Sequence, residues 1–158
     1  MALSADKTRA SRGILNKRVE TFSIKTSQTL YIGSLAAFTT LGRVQAAAAA
    51  TGLRPAGVVE AIINESGANI SAATGNAGGT VKAQIAWGHE VYVDIKTAAR
   101  TFVNLNKNVF ISDDDAVTDT TGAGTAGVRV KIGSLTELNS AKSAGWLAVR
   151  IYGDADAT

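Results

Sequence analysis

Val81-Lys82-Ala83-Gln84-Ile85-Ala86-Trp87, followed after Gly88-His89-Glu90 by Val91-Tyr92-Val93-Asp94-Ile95, is the stretch that decides the fold class. In the first run Val81, Ala83, Ile85 and Trp87 alternate with Lys82 and Gln84, and in the second Val91, Val93 and Ile95 share one parity. A period of two turns one side of an extended chain to a core and the other to water, which is the pattern of a strand. Trp87 has the parity of Val81 and Ile85 and is expected in the core.

The pattern recurs in both directions. Phe22 and Ile24 alternate with Thr21, Ser23 and Lys25, and Leu30 and Ile32 flank Tyr31. Val128, Val130 and Ile132 enclose Arg129 and Lys131, and Leu147, Val149 and Ile151 alternate with Ala148, Arg150 and Tyr152. The run Val58, Val59, Ile62, Ile63 alternates less and suits a strand buried on both faces. Turn formers separate the runs: Gly33-Ser34, Gly75 to Gly79, Ser112 to Asp115, Gly122 to Gly127, and Gly145. Short alternating segments punctuated by Gly, Asn and Asp predict a mostly β protein, an antiparallel β-barrel or β-sandwich. At most one or two short helices are expected. Ala46 to Ala50 suits either a short helix, bounded by Gly42 and Gly52, or a strand pressed close to a neighbour, and Lys96 to Phe102 is the second place for a helix.

Charge divides the chain more sharply than hydropathy does. Residues 1–18 carry Lys7, Arg9, Arg12, Lys17 and Arg18 against Asp6, a net +4, so the other 140 residues contribute −1 to the total of +3. With Ile14 and Leu15 its only large apolar side chains after Leu3, this segment reads as an extended basic N-terminal arm that orders on a partner. The expected organisation is the arm at 1–18, a single β domain at 19–153 and a short acidic tail at 154–158. A body that is nearly neutral lacks the clustered basic face of a nucleic-acid binder. The first residues lack the apolar core of a signal peptide, and no stretch approaches a membrane span.

Parts for catalysis are scarce. There is no cysteine and one histidine, His89, whereas a nucleophile needs a base and a catalytic zinc site usually needs at least two imidazoles. His89, where the strand pattern pauses, is expected at the surface or in a turn. Gly122-Ala123-Gly124-Thr125-Ala126-Gly127 has dinucleotide-loop spacing but is followed by strand-like residues rather than a helix, so a hairpin loop is expected. Asp113, Asp114, Asp115 and Asp119 lack the alternating ligands of a calcium loop and suit a turn. No catalytic residue, cofactor or metal is therefore assigned, and an enzyme is not expected. Trp146 and Tyr152 share the strand face opposite Leu147 and Val149, where they can line a sugar or protein contact or lie under a neighbouring segment.

The stretch Ala99-Arg100-Thr101-Phe102-Val103-Asn104-Leu105-Asn106-Lys107-Asn108-Val109-Phe110-Ile111-Ser112-Asp113-Asp114-Asp115-Ala116-Val117-Thr118 resembles the decoration, or cement, proteins of tailed-bacteriophage capsids. Those proteins follow an Asp-rich hairpin with a Gly-Val strand and a closing aromatic strand, matched here by Gly127 to Gly133 and by Gly145-Trp146 to Tyr152. The wording of Gly33 to Thr40 and Gly57 to Ile63 is also similar. The resemblance implies a virion protein, made in the host cytoplasm and fixed to the capsid exterior. There it would bridge major capsid protein subunits as a homo-oligomer, trimer before dimer, without direct contact to nucleic acid or membrane. On that reading Lys7, Arg9, Arg12, Ile14, Leu15, Lys17 and Arg18 are the expected capsid contacts. A virion β module that binds a host glycan through Trp146 and Tyr152, or serves as a head or tail adhesion component, is the alternative.

Overall fold

The structure, a computed structural model, describes residues 3–48, 50, 52–96, 108–118, 131–141 and 143–149. The helix expected beyond Lys96, Asp119, the Gly122–Gly127 loop, the strand residues 128–130 and 150–151, Tyr152 and the tail at 154–158 lie outside them. Within them the chain is almost entirely β, and the only helical element is a single 3-10 turn. The strands are β1 (Ser11–Arg12), β2 (Arg18–Ser23), β3 (Thr29–Tyr31), β4 (Leu35–Phe38), β5 (Val44–Ala46), β6 (Arg54–Ile63) and β7 (Asn69–Ile70). Then follow β8 (Ala72–Thr74), β9 (Lys82–Trp87), β10 (Glu90–Ile95), β11 (Asn108–Ile111), β12 (Ala116–Thr118), β13 (Lys131–Leu138) and β14 (Ala144–Val149).

Five strands close into a barrel in the order β10-β12-β11-β13-β14, with β14 returning to β10. All of its pairings are antiparallel except β10–β12, where Asp94 and Ile95 run parallel to Ala116 and Val117. The barrel is thus the expected one with a single parallel seam. A second sheet runs β2-β9-β6-β4-β5, with β7 on β6. Its two ends approach where Ile24, just past β2, bridges Val44 of β5 and the Lys25 N–H donates to the Val44 carbonyl at 2.7 Å. β3 and β8 form a separate ribbon that delivers Leu30 to the core.

Two buried clusters result. One fills the barrel with Val91, Val93, Ile95, Val109, Ile111, Val117, Ile132, Leu135, Leu147 and Val149, and the other lies against the second sheet around Ile24, Val44, Val59, Ile62 and Ile85. β4 and β6 serve both: Leu35, Ala37 and Val58 join the barrel cluster, while Ala36, Ala56 and Val59 join the other. This explains the weakly alternating Val58–Ile63 run, since both faces of that strand are covered. Val59 and Ile62 reach the same cluster although their spacing of three should send them to opposite faces. A register shift between Val59 and Ala61 against β9 inserts the extra residue that restores their parity.

Of the two readings open for the stretch beginning at Ala46, the strand is the one observed there: β5 extends to that residue, and Ala47 is buried in the barrel cluster with its N–H on the Leu35 carbonyl. Small methyl groups allow that close approach. Gly145 is not a turn but lies inside β14, where a Cβ would stand 2.4 Å from the Glu137 carbonyl oxygen. Trp87 packs partly buried against the barrel cluster.

Candidate functional site

The basic arm lies extended along the chain's own body, and its cations are distributed over acids that arrive from four separate strands and turns. Its first anchor is Asp114, in the turn between β11 and β12. Asp113 Oδ1 shapes that turn by accepting the Asp115 and Ala116 N–H groups at 3.0 and 2.9 Å. The turn leaves Asp114 buried, with Oδ1 accepting the Leu3 N–H at 2.9 Å and Oδ2 the Ser34 hydroxyl at 3.3 Å. Burial pushes the Asp114 carboxyl above the usual aspartate range, against the pull of those two donors.

The arm then runs beside Gly33. Ile32 and Lys7 are joined by the Lys7 N–H on the Ile32 carbonyl at 2.8 Å, and the Ile32 N–H donates to Asp6 Oδ1 at 2.9 Å. A Cβ at position 33 would stand 1.9 Å from the Lys7 carbonyl oxygen, and the φ of Gly33 is +87°, so only glycine permits the arm to dock there. Lys7 Nζ reaches Asp94 at 2.6 Å and Asp115 at 2.7 Å. Partial burial works against its charge, but the hydrogen bonds it donates to Asp115 and Asp94 prevail and hold its pKa above the ordinary lysine value.

Arg9 is the centre of the arrangement. Its side chain is 3% exposed, and Nη2 donates to Asp115 Oδ1 and to the Asp115 carbonyl, each at 3.0 Å. Nε donates to the Gly33 carbonyl and Nη1 to the Tyr92 carbonyl at 3.3 Å. One planar fork therefore ties together the β3–β4 turn, β10 and the Asp turn, a task for which guanidinium is suited and ammonium is not.

Next the arm becomes a strand. The Tyr92 N–H donates to the Ala10 carbonyl, and Ser11 and Arg12 pair with Val91 and Glu90 on the stretch of β10 that β12 leaves uncovered. Arg12 donates to Glu90 at 2.6 Å and to Glu137 at 2.7 Å, and its guanidinium carbon lies 4.3 Å from the centre of the Trp146 ring. Trp146 meets Tyr92 edge to face at 5.4 Å. Arg12, then the Thr136 hydroxyl, holds the Glu90 carboxyl below the usual range.

Of the other expected contacts, Ile14 and Leu15 belong to the 3-10 turn Ile14–Asn16, and Leu15 is 98% exposed. Lys17 pairs with Glu60 of β6. Arg18 is exposed at the start of β2 and makes no ion pair among the described residues. Trp146 sits half-buried beneath Arg12, and its expected companion Tyr152 lies outside the described residues. Sequence reasoning missed the acceptors: Asp94, Asp114, Asp115, Glu90 and Glu137. The one signal for them was the balance of +4 on the arm against −1 on the body.

His89 overturns the surface expectation. It does occupy the turn between β9 and β10, but it is only 4% exposed because the turn is tied to β14: Gly88 N–H donates to the Val149 carbonyl and Val149 N–H to the His89 carbonyl. Its Nδ1 has no hydrogen-bond partner among the described residues, and burial, opposed by a hydrogen bond to the Trp87 backbone, lowers its pKa below the ordinary value. Among the described residues no group of three or more His, Asp or Glu side chains is arranged to hold a metal ion.

No protein-family model, curated protein or solved structure matches this chain.

Proposed function

We propose that the protein is a structural component of a phage virion that binds the outer capsid surface and bridges neighbouring major capsid protein subunits. The observation that carries this reading is the docked arm. A binder that must span two coat molecules needs a rigid body with contacts fixed at a distance from one another, so that the second contact forms at high effective concentration. Here the arm is locked to the barrel by Arg9 and Arg12, which sets the turn at Leu15, with Leu15 and Val19 exposed beside Arg18, in a fixed place on the surface. The resemblance of the Ala99–Thr118 stretch to capsid cement proteins supports the same reading. The glycan alternative is not taken up, because Arg12 already covers the Trp146 ring.

The test is co-sedimentation of the purified protein with empty capsids assembled from the major capsid protein of the same virus. Copy number comparable to the coat subunits, and particles that resist heating better than bare ones, are expected. Leu15→Asp should lower occupancy without changing the protein's own melting temperature. No co-sedimentation, or only a dozen copies per particle, would remove the reading.

A further inference from the structure

A cleft of about 690 Å³ opens beside the seam where Ile24 meets Val44, on the second sheet and away from the arm's acids. Lys25, Arg43, Gln45, Thr39, Thr40 and Leu41 are among the residues that line it, and among the described residues no carboxylate does. Its two cations differ from those of the arm. Lys7, Arg9, Arg12 and Lys17 each face a carboxylate, whereas among the described residues Lys25 Nζ donates to Gln45 Oε1 at 2.9 Å and to no carboxylate. Arg43 donates to the Thr26 hydroxyl at 3.0 Å and to the Asn76 and Ala77 carbonyls at 3.3 and 3.1 Å, all neutral acceptors. These bonds fix the guanidinium in position without cancelling its charge.

Two uncompensated cations at a concave, partly apolar surface focus a positive potential into it. Hydroxyls of Thr39 and Thr40 line the same wall, and Leu41, 86% exposed, offers an apolar contact at the rim. A nucleic acid would want a longer cationic track and stacking aromatics, and among the described residues no aromatic side chain lines the cleft. We infer that this cleft is a docking site for an acidic peptide segment of a partner protein, its carboxylates held by Lys25 and Arg43 and an apolar side chain resting on Leu41. The inference rests on the capsid reading only for where such a segment is found, on the coat surface; the recognition itself is tested without capsids.

The probe is a fluorescein-labelled hexapeptide alternating Glu and Leu, with an alternating Gln and Leu peptide and a short single-stranded DNA as comparators, followed by fluorescence anisotropy. The acidic peptide should bind, weaken as salt rises, and perturb backbone amide resonances at residues 39–45. Leu41→Glu, at a side chain that supports no packing, should weaken binding about tenfold with an unchanged melting temperature, as one like charge at the rim opposes both carboxylates. Lys25→Gln should weaken it similarly. Binding of DNA at least as tight as the peptide, binding indifferent to both substitutions, or no peptide binding at low salt would overturn the inference. Peptide binding in the absence of any capsid co-sedimentation would instead uphold the cleft and remove the capsid reading.

Discussion

Arg9 Nη2 donates to Asp115 Oδ1 at 3.0 Å across 106 residues of sequence, with the arginine side chain almost wholly out of water. The pair joins the arm to the turn that opens the parallel seam of the barrel, so the arm is part of the folded body rather than an appendage.

Arg9→Ala is expected to destabilise the protein by about 3 kcal/mol, the low end for breaking a buried pair, because Asp115 keeps some access to water. Arg9→Lys should recover only part of the loss, since one ammonium cannot serve Gly33, Tyr92 and Asp115 together. Urea unfolding of the three proteins decides it; full recovery by lysine would show that charge alone matters.

Arg12 shields Trp146, and this is visible optically. In a Trp87→Phe background, Arg12→Ala should shift Trp146 emission to longer wavelength and raise its quenching by iodide. The same shift should appear in the unsubstituted arm under acid. Glu90 titrates below the usual carboxylate range in the folded state, so its contribution is full above the ordinary glutamate pKa and is lost as pH falls through the folded value.

His89 makes stability depend on pH near neutrality. Its pKa is lower folded than unfolded, chiefly by burial, so the unfolded chain binds the proton first. Its contribution is complete above about pH 6.5, the ordinary histidine pKa, and declines as pH falls from there toward the folded value. His89→Leu should flatten the melting-temperature profile over that range, at the cost of the hydrogen bond to Trp87. A profile with the same slope would assign the effect to other groups.

Gly133 tests barrel closure. A Cβ there would lie 1.9 Å from the Ala148 carbonyl oxygen of the neighbouring strand, so Gly133→Ala should cost about 4 kcal/mol or more, or prevent soluble expression. Gly67→Ala, at φ +83° with open space around it, should cost only about 1 to 2 kcal/mol. Equal melting temperatures for the two variants would contradict the contact geometry.

The sequence by itself determined the strands, because alternation is a property of neighbouring residues: Lys82–Trp87 and Glu90–Ile95 are strands where the pattern places them. It also determined the aspartate turn at 113–115, which is built from bonds spanning two or three residues. Tertiary structure alone decided what those strands meet. The parallel seam of Ile95 on Val117, the bulge that returns Ile62 to the side of Val59, and the burial of His89 beneath β14 all follow from pairing between segments remote in the chain. The arm shows the division most clearly. Its charge of +4 is legible in composition, but Coulomb attraction is blind to sequence separation, and only the folded barrel brings Asp94, Asp115, Glu90 and Glu137 within reach of it.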